Sequence, residues 1–92
     1  MAVVARRFVI TGRVQGVGYR YYTLRAACQY QIRGWVRNLP DGSVEAWVEG
    51  TLDSIEKLKH DLAFGPMYAE VRKISETAVE PTGHFDTFRI NG

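Results

Sequence analysis

Ninety-two residues suffice for one hydrophobic core and not for two, so a single domain over residues 1–92 is expected. At 46% hydrophobic and 24% charged the chain has an ordinary globular composition. No apolar run approaches a membrane span, and the N-terminal charges follow the short apolar stretch, the reverse of a secretory leader, so no membrane partner and a cytoplasmic location are expected. The net charge of +2 divides unevenly: residues 1–40 carry seven arginines and no acid, and the remainder carries five Lys or Arg against ten acids. Most of these charges should complement one another across the surface, yet a loop in the acid-free half would draw in anions.

The first strand reads from Arg7 to Val14, with Phe8 and Ile10 on one face and Val9, Thr11 and Arg13 on the other. Tyr19, Thr23, Ala26, Ala27 and Tyr30 then form one helical stripe, which predicts a helix from about Tyr19 to Tyr30 with Tyr22 and Tyr30 in the core. Ile32 to Asn38 is a second strand, stopped by the turn residues Pro40-Asp41-Gly42. Ser43 to Glu49 alternates as its hairpin partner, Val44, Ala46 and Val48 inward and Glu45, Trp47 and Glu49 outward. Asp53 and Glu56 resemble a capping box, and Leu52, Ile55, Leu58 and Leu62 give a second helix over about Leu52 to Phe64, ended by Gly65-Pro66. Ala69 to Thr77 and Phe85 to Ile90 are the last strands.

This order predicts an α+β fold, a ferredoxin-like split βαβ sandwich (βαββαβ plus a short C-terminal strand) with an antiparallel sheet and both helices on one face. Right-handed crossovers would set the first and third elements side by side and bring Asn38, at the end of the second strand, near the Gly-rich loop.

That loop, Gly12-Arg13-Val14-Gln15-Gly16-Val17-Gly18-Tyr19-Arg20, joins the first strand to the first helix. Its three glycines permit backbone conformations in which N–H groups converge on one point. The helix dipole aims at the same point, and Arg20 supplies a planar charged fork matched to phosphate oxygens. A tight structural corner is the alternative, and neither nucleotide-binding glycine motif is satisfied. Arg20 favours the phosphate cradle, since a cation at a helix start is unfavourable until an anion offsets it.

The remaining chemistry is sparse. His60 and His84 stand without ligand partners, Ser43, Ser54 and Ser75 lack nucleophile-elbow glycines, and Asp41 and Glu45 read as solvated. The lone Cys28 excludes an internal disulfide and any multi-cysteine metal site, and reads as a small buried or half-buried apolar residue. No metal and no cofactor are expected. What is left is electrostatic work: positioning an anion and a water with neutral and positive groups.

The loop from Gly12 to Arg20, together with Gly34-Trp35-Val36-Arg37-Asn38-Leu39-Pro40-Asp41-Gly42-Ser43-Val44 and Gly50, resembles both signatures of the acylphosphatase family, with element order matching from about Arg6 to Ile90. Separately, a monomer is expected. The resemblance implies metal-independent hydrolysis of a small-molecule acyl phosphate to carboxylate and phosphate. It makes Arg20 the phosphoryl-holding residue and Asn38 the water-orienting one. Backbone N–H groups of Gln15, Gly16, Val17, Gly18, Tyr19 and Arg20 would wrap the phosphate, or another anion in the loop. Two positions depart from the commoner pattern: Leu39 stands where many members have Thr, and the chain closes with Asn91-Gly92 in place of an aromatic. The rival from another class is an RNA-binding module, suggested by the basic half and by Arg33-Gly34-Trp35. That motif opens the second strand here, where such modules carry it on the third, so no nucleic-acid partner is expected. A third reading keeps the fold with an idle site.

Overall fold

The computed structural model describes residues 2–92; Met1, part of the N-terminal stretch read above, lies outside them. The order is β1 (Val4–Arg13), α1 (Tyr19–Gln29), β2 (Arg33–Asn38), β3 (Val44–Gly50), α2 (Leu52–Phe64), β4 (Glu70–Val79) and β5 (Phe88–Ile90). The strands form one sheet in the order β4-β1-β3-β2-β5. Period-2 alternation sorts its faces. Phe8 pairs with Ala46 and Ile10 with Val44, Val36 lies on the other side of Ala46, and all five are fully buried. Against this layer α1 sets Tyr19, Thr23 and Ala27, and α2 sets Ile55, Leu58 and Leu62. Each large apolar side chain buried this way contributes about 1.5–3 kcal/mol, enough collectively to hold two short helices on one face.

Several expectations need correction. The sheet is mixed: β5 runs parallel to β2, while the other pairs are antiparallel. After β4 at one edge, the chain crosses to the opposite edge and arrives pointing the same way as β2. The crossing consumes residues 80–87, so β5 begins at Phe88 and not at Phe85. The third element, β2, does not lie beside β1; β3 stands between them.

The helix-free face is also drier than alternation predicts. Glu45 and Glu49 are 4% and 2% exposed. Glu45 accepts from Arg7 Nε at 2.5 Å and Arg37 Nε at 2.6 Å. Glu49 accepts from Trp47 Nε1 at 2.8 Å and, where the crossing segment passes, from the Thr82 N–H and hydroxyl at 3.0 Å and the Gly83 N–H at 3.1 Å. Burial alone would raise both carboxyls. The arginines at Glu45, and the donors around Glu49, outweigh it and hold both below the usual carboxylate range.

Smaller corrections concern the helices. The α2 cap is Thr51, whose hydroxyl accepts from Ser54 N–H at 3.2 Å, with Asp53 in the first turn. Leu52 is exposed. Tyr22 and Tyr30 are half-buried and donate their hydroxyls to the carbonyl and the carboxylate of Asp61. Cys28 is exposed.

Candidate active site

The corner between β1 and α1 is shaped by glycines with different duties. Gly12 sits at a register irregularity between β1 and β4 with φ +127°, and a Cβ there would lie 2.0 Å from the Glu70 carbonyl oxygen. It permits close strand approach and takes no part in the concavity. Gly16 and Gly18 have φ +74° and +78°, with open space where a side chain would stand. They are required by the backbone path, and their bareness leaves the loop approachable.

Gly18 is the N-cap of α1; it offers no side-chain acceptor, and the first turn holds no acid. Among the described residues no backbone carbonyl accepts from the N–H groups of Gly16 to Arg20. These donors are left without a protein partner at the positive end of the helix. Tyr19 anchors the turn from beneath: its ring is buried, its hydroxyl donates to the Leu62 carbonyl at 2.7 Å, and burial followed by the neighbouring Tyr22 pushes its ionisation well up. Gln15 ties the loop from the side, its amide donating to the Leu39 and Ser43 carbonyls at 2.9 Å each.

A cavity of about 240 Å³ opens above this corner. Val14 and Tyr19 lie beneath it, Gly16, Gly18, Arg20 and Asn38 bring the polar groups, and Tyr21 and Ile90 stand at the mouth. Asn38 arrives from the end of β2, on the helix-facing side opposite Val44. Its Oδ1 is shielded from solvent and accepts no hydrogen bond from the protein. Arg20 donates from Nη1 to the Gly92 carbonyl, which draws its head group across the cavity toward the residues after β5. The cavity wall includes no Asp, Glu, His or Cys, and among the described residues no group of three or more such side chains comes together.

Of the seven residues singled out, Gly16, Gly18, Tyr19, Arg20 and Asn38 share the cavity. Gln15 contributes its side chain as a tie, and Val17 is half-buried against the core. Tyr21 and Ile90 were missed. Tyr21 carried a signal, an aromatic beside Arg20 off the buried stripe. Ile90 carried none, because only the pairing of β5 with β2, Ile90 opposite Val36, brings it there.

Fold and site together define a ferredoxin-like α+β domain with a cavity of cationic and amide groups at the head of its first helix. The family model described as Acylphosphatase matches residues 6–90. Curated acylphosphatases of Moorella thermoacetica and Chloroflexus aurantiacus are 43% and 44% identical over 90 residues, covering 98% of this chain and 96% and 98% of theirs. The crystal structure of acylphosphatase from Bacillus subtilis superposes with TM-score 0.93 at 31% identity, covering 97% of this chain and 99% of its own. Full-length HypF in its phosphate- and nucleotide-bound form is similar over 99% of this chain and 12% of its own, with TM-score 0.88 at 28% identity. The chain belongs to the acylphosphatase family and is a hydrolase of that family. No helix among the described residues is long and apolar enough to cross a membrane.

Proposed function

We propose that this protein hydrolyses acyl phosphates by holding the phosphoryl group between Arg20 and the backbone N–H groups of Gln15 to Arg20 while Asn38 orients the attacking water. The observation that carries this reading is the meeting of Arg20, the unpaired N–H groups of Gly16 and Gly18, and the Asn38 side chain in one cavity. The Asn38 Oδ1 is buried and unpartnered, which costs about 1–3 kcal/mol; a turn of the amide that opens it to the cavity would let a water donate to it, recovering much of that cost while fixing the water for attack.

The water oxygen forms a bond to phosphorus as the bond from phosphorus to the acyl oxygen breaks, and the carboxylate leaves with the electron pair. The water's proton passes to a phosphate oxygen, so the site needs no general base of its own. Little covalent work falls to the protein; positioning and charge stabilisation dominate. Arg20 engages the Gly92 main-chain oxygen through Nη1 and keeps its other N–H donors for an anion. On this reading the protein acts as a cytoplasmic monomer on a small molecule, and the cationic stabilisation comes from Arg20 and backbone dipoles in place of a metal ion.

The test is the loss of ultraviolet absorbance of benzoyl phosphate with chelator present, comparing wild type with Arg20→Gln. Fast hydrolysis by the wild type and a roughly 10²-fold to 10³-fold slower variant are expected. A folded wild type that leaves the absorbance unchanged overturns the reading.

A further inference from the structure

We propose that a second cavity, at the C-terminal end of β1, binds a small phosphate monoester that carries a hydroxyl group, with the phosphate between Arg13 and Arg72 and the hydroxyl on Asp41. The cavity has a volume of about 390 Å³ and shares no lining residue with the one that holds Arg20 and Asn38.

An irregularity in the sheet brings the two arginines together. Ile10 and Val14 are buried, so alternation turns Thr11 and Arg13 to the helix-free face. On β4, Ile74 pairs with Ile10, Lys73 with Thr11 and Val71 with Gly12, so the register steps over Arg72. Ile74 and Val71 both pack against the core, three positions apart, where strict alternation would have set Arg72 inward. The extra residue of this bulge is turned out instead, into the cavity that Arg13 enters from β1. Between them Gly12 is bare; a Cβ there would lie 2.9 Å from the Arg72 backbone nitrogen.

The fold makes no use of either guanidinium. Every ion pair among the described residues takes its cation from Arg6, Arg7, Arg37, Lys57 or Lys59. Arg13 stands opposite Glu70 and shares the cavity with Asp41, yet is paired with neither. The Ser43 N–H at 2.9 Å and hydroxyl at 2.5 Å both donate to Asp41 Oδ1, which holds the carboxyl below its usual range and leaves Oδ2 for a ligand donor. Two planar forks match the oxygens of a phosphate, while an ionised carboxylate beside them repels a bare anion and accepts from a hydroxyl. The complement is an anion with a donor a few bonds away, the chemistry of a glycerol or sugar phosphate.

The test follows amide NMR shifts in Arg20→Gln, which weakens the grip at the head of α1, on titration with glycerol 3-phosphate and with methyl phosphate, which has no hydroxyl beyond its phosphate. Gly12, Gly42 and Ser43 report this cavity, and Gly16 and Gly18 the other. Glycerol 3-phosphate should move the first three amides saturably, with a midpoint several-fold below that of methyl phosphate. Adding Arg13→Gln or Arg72→Gln should raise that midpoint roughly 10-fold, and adding Asp41→Asn should remove the preference between the probes. All three side chains belong to exposed residues, and melting temperatures check that the variants fold. Shifts confined to Gly16 and Gly18, or a midpoint that either arginine variant leaves unmoved, overturn the site. Equal midpoints for the two probes overturn the ligand class.

Discussion

In the proposed mechanism Arg20 and Asn38 divide the work by what each side chain can hold. The guanidinium offers a charged fork to an anion, and the amide offers one acceptor and two donors to a neutral molecule. Asn38→Ala should therefore lower kcat about 10²-fold while inhibition by inorganic phosphate changes less than about threefold, measured in one steady-state series. A large loss of phosphate affinity with intact turnover would reverse the roles. Gln15 acts differently, since its side chain grips two carbonyls of the β2–β3 turn and touches no cavity wall. Gln15→Ala removes one of two donors at each carbonyl, leaving the Gly42 N–H at 3.1 Å on Leu39 and the Leu39 N–H at 2.8 Å on Ser43, and should cost about 0.5–1.5 kcal/mol, read from a denaturation midpoint. A variant as stable as wild type would show the tie to be idle.

Among the elements, the corner shows why identical residues tolerate change unequally. Gly12→Ala would drive a methyl into the Glu70 carbonyl and keep a positive φ, so a loss of about 3–4 kcal/mol is expected. Gly16→Ala meets nothing within 4 Å and bears only the conformational cost of about 1–2 kcal/mol. Thermal unfolding of the two variants side by side checks the difference; equal losses would mean that crowding at Gly12 relaxes freely.

Much of this was legible in the sequence. The alternation in β1 and β3, the stripes of both helices and the α2 boundaries over Leu52–Phe64 follow from local periodicity. What was not legible depends on contacts between distant segments. Glu45 and Glu49 occupy outward positions, and only the approach of Arg7 and Arg37, or of the segment at Thr82, closes them off. The direction of β5 is invisible because a short run of apolar residues carries no mark of which edge it will join. Arg33-Gly34-Trp35 suggested RNA, but Arg37 lies over the Trp35 ring at 5.0 Å, on a face where a base would stack, while Glu45 holds its guanidinium.

For the whole molecule, the lopsided charge distribution becomes a stability device. Arg6, Arg7 and Arg37 of the acid-free half pair with Glu76 and Glu45 of the acidic half across the sheet. The sign of the pH effect follows from the depressed carboxyls. Glu45 and Glu49 bind protons more weakly folded than unfolded, so their contribution is present above the unfolded value near 4.5 and is lost as pH falls through the folded values. Urea midpoints should hold steady from pH 7 to about 5 and drop below about pH 4.5. Glu45→Gln should lower the midpoint at pH 7 and flatten the acid limb. An acid limb of unchanged slope would remove Glu45 from the account.

The grip of Gln15 on the Leu39 and Ser43 carbonyls also bears on how this chain can be rebuilt. A polar hairpin turn such as Pro40-Asp41-Gly42 is the customary place to insert a peptide tag or to open new termini by circular permutation. Here such a graft would pull on the strap, shift the loop that bears Gly16 and Gly18, and displace Asn38 at the root of the same turn. The exposed tip at Met67 and Tyr68 makes no such hydrogen bond to the cavity wall and is the better seam for engineering.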